Sequence, residues 1–260
     1  MESIVILPDT QFPLHDKTLT KKLAEFVWDY QPTVLAHVGD LTDSTQLSRW
    51  VRGMRGQYDG GLEGGFRQTR EWLAYIRRKY DGPFHISRAN HDDRLELAIE
   101  RQLPEIAGLT IGGRVISIEN ALDFDGFGIE YHHSYYELAP NWLLTHGDWG
   151  SLSTQPGQTA LNAARELGKS VVCGHTHRAG LVAGPLTSDA QTIAVQGMEV
   201  GHAMNRRMAT YLKGGRNNWR QAFGILHVHR PPNKKRVQVY PELVFVDWDY
   251  SFVVEGERYR

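Results

Sequence analysis

The chain has 260 residues, is 41% apolar and 23% charged, and carries a net charge of −1, the composition of an ordinary globular protein rather than a disordered one. Its single cysteine, Cys173, excludes an internal disulfide framework, and no run approaches the ~20 apolar residues of a membrane span. With no signal-peptide layout after Ser3, the expectation is a soluble, cytoplasmic protein of one domain over residues 1–260.

In chain order, Ile4 to Leu7 reads as a strand that runs into Asp9-Thr10-Gln11. Asp16 can cap a helix whose Leu19, Leu23, Phe26, Val27 and Tyr30 recur at helical spacing. Pro32 ends it, and Thr33 to Val38 is the next strand, leading to Gly39-Asp40. A strand, helix and strand in that order imply a parallel pair with a right-handed crossover. Thr42, Asp43 and Ser44 can cap a short helix toward Trp50, and the glycine-rich stretch 53–65 reads as a flexible insert. Phe66 to Tyr80 is a helix, Phe84 to Ser87 a strand ending at Asn90-His91-Asp92, and Asp92 to Leu103 a helix stopped at Pro104. Residues 105–141 read as irregular, with short strands near Val115 to Ile118 and Ile129 to His132. Trp142 to Thr145 is a strand reaching His146-Gly147-Asp148, and Gly157 to Leu167 is a helix. Ser170 to Cys173 is a buried strand that delivers Gly174-His175-Thr176-His177. Beyond it the stretch 180–260 is mostly β. The order suits two sheets flanked by helices, with the site on loops at strand C-terminal ends.

Five apolar runs thus end in ligand-type residues. Residues two apart in extended chain point the same way, so His175 and His177 leave their strand on one face. His227 and His229 repeat the spacing and read as the exposed face of an ordinary strand; His132 and His133 have no motif support and read as structural. The full set, Asp9, Gln11, Asp40, Asn90, His146, His175 and His177, contains oxygen and nitrogen donors without thiolate. It suits Mn, Fe, Zn or Mg, and seven donors imply two ions, with one aspartate between them.

This order of motifs resembles the calcineurin-like metallophosphoesterases, whose pattern is Asp-x-His, Gly-Asp-x-x-Asp, Gly-Asn-His-Asp/Glu, a lone His and Gly-His-x-His. The match spans residues 4–177, and the compact form with its glycine-rich insert is similar to versions encoded by actinobacterial phages. The resemblance implies a four-layer α/β/β/α sandwich of two mixed sheets flanked by helices. It also implies that Asp9, Gln11 and His177 hold one ion and Asn90, His146 and His175 the other, with Asp40 bridging. Two ions ~3.5–4 Å apart can hold a hydroxide nucleophile and stabilise an in-line displacement. His91 is then the general acid, Asp43 the partner that fixes its tautomer and raises its pKa, and Arg94 a phosphate contact. Gln11 departs from the usual histidine, and its amide oxygen favours Mn and a weaker first site. Ala89 stands where the family has glycine.

The expected function is a cytoplasmic, manganese-dependent phosphodiesterase acting on nucleotides or nucleic-acid fragments. Ser44 follows Asp43 where the family's protein phosphatases have arginine, which argues against that substrate class. Between Glu199 and Glu242 lie nine basic residues and no acid, leaving −10 on the rest of the chain. The basic stretch 206–236 makes a DNA or RNA nuclease the enzymatic alternative, with the stretch tracking a phosphate backbone. A binding or scaffold protein with a degraded first metal site is the alternative of another class.

Overall fold

The computed structural model describes residues 1–48, 53, 61–187, 192–208, 218–232 and 236–260. The first half runs β1 (Glu2–Leu7), α1 (Lys17–Tyr30), β2 (Val34–His37), α2 (Gly61–Arg77), β3 (Phe84–Ser87) and α3 (Arg94–Gln102). A small hairpin, β4 (Thr110–Ile111) and β5 (Arg114–Val115), precedes α4 (Ile118–Ala121) and β6 (Ile129–His132). The second half runs β7 (Tyr136–Ala139), β8 (Trp142–Leu144), α5 (Gln158–Leu167), β9 (Ser170–Cys173), β10 (Ala179–Thr187), β11 (Thr192–Val200), β12 (Ala222–His229) and β13 (Gln238–Phe245), then the hairpin β14 (Phe252–Val254) and β15 (Glu257–Tyr259).

Among the described residues two mixed sheets dominate, in the orders β13-β12-β1-β2-β3-β6 and β10-β11-β9-β8-β7. Strands β1, β2, β3 and β6 are parallel to one another, as are β8, β9 and β11. The apolar run of β1 shows why the layers form. Ile4 and Ile6 enter the core between the sheets, with Ala36, Val38, Leu144, Val172 and Met198. Val5 and Leu7 point the other way, onto Leu19, Leu23 and Phe26 of α1 and Trp72, Leu73 and Ile76 of α2. A strand covered on both faces must be apolar throughout, which is how it reads in sequence. The outer face of the second sheet packs Val171, Cys173 and Val195 against Ala160, Leu161 and Ala164 of α5. The result is the four-layer α/β/β/α sandwich, and Cys173 is a buried core thiol.

Asp16 caps α1 as expected, its carboxylate accepting from the amides of Thr18 and Leu19. Several boundaries differ from the sequence reading. Residues 61–65, expected in a flexible insert, form the first turns of α2; 54–60 lie outside the described residues. Gly65 lets that helix approach the 12–13 turn, since a Cβ there would come within 3.3 Å of the Phe12 carbonyl oxygen. Around 115–118 the expected strand gives way to the short helix α4, because the Ser117 side chain accepts from the Asn120 amide and starts a turn instead. Residues 136–139, expected to be irregular, form edge strand β7, and Thr45–Leu47 is a single 3₁₀ turn that no Ser44 side-chain bond caps. Trp50 lies outside the described residues. His227 is not an exposed strand residue: it is half-buried and its Nε2 lies 2.8 Å from Glu242. The basic stretch is described only in part, with 209–217 and 233–235 outside; Arg230 bonds Glu2 at 2.9 Å. No helix among the described residues is long and apolar enough to cross a membrane.

Candidate metal centre

The C-terminal ends of β1, β2, β3, β8 and β9 bring all seven expected donors into one region. Asp9 and Asp40 are fully buried, as are Gln11, His146 and His177, while Asn90 and His175 are half-buried. One donor atom from each of Asp9, Asp40 and His177 lies within 4.8 Å of the others, and the same holds for Asp40, His146 and His175. Asp40 is common to both groups.

In the first group, His177 Nε2 is 3.1 Å from Asp9 Oδ2. The Gln11 amide nitrogen lies 3.0 Å from Asp40 Oδ2 and 3.2 Å from His177 Nε2. In the second, Asn90 Oδ1 lies 3.0 Å from His146 Nε2 and 2.9 Å from His175 Nδ1, and the two imidazole nitrogens are 3.2 Å apart. The His146 Nδ1–H donates to the Val38 carbonyl at 2.9 Å, which aims Nε2 at Asp40, 3.4 Å away.

The backbone is bent to make this possible. Gln11, Asp40, His175 and His177 all take positive φ, at 49°, 53°, 64° and 57°. Left-handed backbone at a non-glycine residue costs of order 1–3 kcal/mol and persists where the surroundings impose it, often at functional sites. Gly174 has to be glycine: a Cβ there would sit 2.1 Å from Asp9 Oδ1. Gly39 has φ +94°, and a Cβ on it would meet the Ala89 methyl at 2.5 Å, so alanine at 89 is accommodated by the glycine opposite. The 174–177 loop is anchored by Glu199, which accepts from the Thr176 hydroxyl at 2.8 Å and from the Thr159 amide at the start of α5 at 2.9 Å. Nothing in the local pattern around Glu199 pointed to it, because its partners are 23 and 40 residues away.

Charge is distributed unevenly. Burial alone would push the Asp40 carboxyl up, but His146 and His91 hold it well below the usual carboxylate range. Burial would likewise lower His146; Asp40 overrides that and raises it to about 10. Burial and the neighbouring His146 lower His175 to about 4. A divalent cation fits this donor set. Asp9 Oδ1 is buried with no hydrogen-bond partner, and a cluster of carboxylates and imidazoles at these spacings is compatible with a cation among them. The Gln11 amide turns its nitrogen toward Asp40 and His177, so it joins the donor set only after a half-turn that brings its oxygen round.

His91, Asp43 and Arg94 stand beside this centre. The His91 amide donates to Asp40 Oδ1 at 3.0 Å, and its Nε2 is 3.9 Å from Asp40 Oδ2. Its Nδ1–H donates to the Asp43 backbone carbonyl at 2.9 Å, with the Asp43 carboxylate further off at 3.5 Å. Asp43 therefore sets the tautomer chiefly through its backbone. The expected upward shift does not prevail: burial and Arg94 outweigh the two aspartates, and His91 is lowered. Arg94 donates to the Asp43 carbonyl at 2.5 Å and to His91 Nε2 at 2.9 Å, so here it braces the histidine. Asp148 pairs with Arg88 at 3.0 Å, and Asp93 pairs with the same guanidinium.

No family model matches the sequence. Two bacteriophage proteins do. The Gene 54 protein of Mycobacterium phage D29 is 36% identical over 228 residues, covering 86% of this chain and 88% of its own. The Gene 54 protein of Mycobacterium phage L5 is 34% identical over 244 residues, covering 93% and 92%. Among solved structures, vacuolar protein sorting 29 from Cryptosporidium parvum aligns at TM-score 0.41 and 10% identity, over 94% of this chain and 98% of that one. Chaetomium thermophilum Vps29 aligns at 0.43 and 11%, over 100% and 98%.

Proposed function

The chain belongs to the family of the mycobacteriophage Gene 54 proteins, and from that premise and the geometry above we propose that it is a dinuclear metal-dependent phosphohydrolase of the calcineurin-like kind. The observation that carries the reading is the Asp40 carboxylate common to two His/Asp groups. Asp9, Gln11, Asp40 and His177 would hold one divalent ion, and Asp40, Asn90, His146 and His175 the other. Manganese is the ion we assign, because oxygen donors make up more than half of the set. Bound there, such ions supply Lewis-acid stabilisation of phosphoryl charge and a water activated at neutral pH.

The chain's own residues supply the rest. Val38 fixes the ring of His146 through its carbonyl, and Asp43 fixes His91 in the same way. With Nδ1–H committed to Asp43, Nε2 is the His91 atom that would serve a leaving alkoxide; the ring is neutral while Nε2 accepts from Arg94, so Nε2 must first take up a proton from solvent and then give it to the alkoxide. Arg94 now donates to that nitrogen, so proton delivery requires the guanidinium to turn away, and an incoming phosphate is the group that would draw it. The substrate class we assign is a phosphodiester of a nucleotide or nucleic-acid fragment.

The test is a chelated sample reloaded with Mn, Fe, Zn or Mg and assayed on cyclic nucleotides, a chromogenic diester, monoesters and plasmid DNA. Diester turnover restored by Mn supports the reading; nicking of DNA without diester turnover favours the nuclease. A binding protein with an idle first group finds its support in the Gln11 amide, whose nitrogen donates to Asp40. Verified metal occupancy with no turnover of any phosphoester would favour that reading instead.

A further inference from the structure

A second cluster of ligand-type side chains lies on β3 and β6 and shares no residue with the centre above. His85 pairs in register with Glu130, and Ser87 with His132. Alternation along β6 puts Glu130 and His132 on one face. His85 lies opposite Ala36, a residue of the core between the sheets, so all three face that space at its β6 edge. From the other sheet, Tyr136 of β7 stacks on both rings, with centroids 3.9 Å from His132 and 4.6 Å from His85.

We propose that His85, Glu130 and His132 form a separate binding site for a divalent transition-metal ion of the zinc type. One donor atom from each lies within 4.8 Å of the others. His85 Nδ1 is 3.1 Å from His132 Nε2 and 3.5 Å from Glu130 Oε2. A tetrahedral ion with ligand bonds of ~2.0–2.1 Å sets neighbouring donors about 3.3 Å apart, so these spacings match two edges of such a site. Two imidazoles and one carboxylate form the donor set of zinc sites that keep a fourth position open. The far nitrogen of His85 faces the Tyr136 hydroxyl at 3.4 Å, the kind of outer contact that fixes a ligating ring. Burial lowers both histidines, which favours the neutral ring with one lone-pair nitrogen each. The Glu130 side chain is 68% exposed and gives an ion a route in from solvent, whereas that of His85 is 8% exposed.

The test is zinc titration of the chelator-stripped full chain by native mass spectrometry, with thermal melting alongside. His132→Ala should bind one zinc fewer than the unaltered chain. Glu130→Gln, which changes an exposed side chain and leaves the core intact, should weaken that same equivalent about tenfold or more and shrink the zinc-dependent rise in Tm. Asp40→Asn should leave it in place. If both His132→Ala and Glu130→Gln match the unaltered chain in zinc number and affinity, the proposal is wrong. If His132→Ala fails to fold, Glu130→Gln alone decides.

Discussion

Metal uptake should release one proton, and the structure says from where. His146 is raised to about 10 beside Asp40 in the metal-free chain, while His175 sits at about 4 and is already neutral above pH 5. The Nδ1–H of His146 is committed to the Val38 carbonyl, so the proton that must leave is the one on Nε2. At pH 7.5 that proton lies well below its release point, which costs a few kcal/mol, on the order of 10²–10³-fold in apparent affinity. Between pH 7.5 and 9 the logarithm of the Mn association constant should therefore rise by about one per pH unit. Calorimetric titration in buffers of different ionisation enthalpy counts the released protons directly. The expected count is about one, falling toward zero in His146→Asn. A count near zero in the unaltered chain, or an undiminished count in His146→Asn, would refute the assignment of the Asp40–His146 ion pair.

Three further outcomes follow from particular contacts. His91→Ala should lose on the order of 10²–10⁴-fold on a nucleotide substrate and much less on a nitrophenyl ester, with metal content unchanged, because only the poor leaving group needs the proton; equal losses on both would remove His91 from that role. Gly174→Ala should cost roughly 1–3 kcal/mol in urea denaturation and lower metal content, since its Cβ would lie 2.1 Å from Asp9 Oδ1 and 2.5 Å from Val38 Cγ2; unchanged metal content would mean that Asp9 is not held where its contacts place it. His15 is lowered to about 4 by burial and by Lys17. A depressed folded pKa gives stability that is present above the unfolded value of 6.5 and lost as pH falls through 4. The loss is about 3 kcal/mol across that window, and His15→Gln should flatten the acid limb of a urea midpoint against pH.

The strand ends were legible because each joins two local signals, an apolar run buried on both faces and a polar residue where cover stops. The run from Val171 to His177 carries both in seven residues, and β1 and β2 do the same. The helix cap at Asp16 was equally local. What sequence could not yield depends on contacts across the chain. Glu199 anchors the 174–177 loop from a strand 23 residues on, and the Asp43 backbone, not its carboxylate, makes the closer contact to His91. The glycines at 61 to 65 read as a flexible insert, yet they begin a helix because Phe66, Trp72 and Leu73 bury against the first sheet and tertiary packing overrides propensity. His132, read as structural, stands out only in the folded chain, where alternation along β6 places it on the face of Glu130, which register sets across from His85.

If Asp40 joins two ion-binding groups into one working centre, both groups must be filled before the chain turns over substrate. Diester hydrolysis measured against added Mn equivalents, on chelator-stripped protein, tests it most directly. Little activity is expected after the first equivalent, a steep rise with the second, and no activity at any loading in Asp40→Asn. Activity that saturates at one equivalent, or that survives in Asp40→Asn, would contradict it.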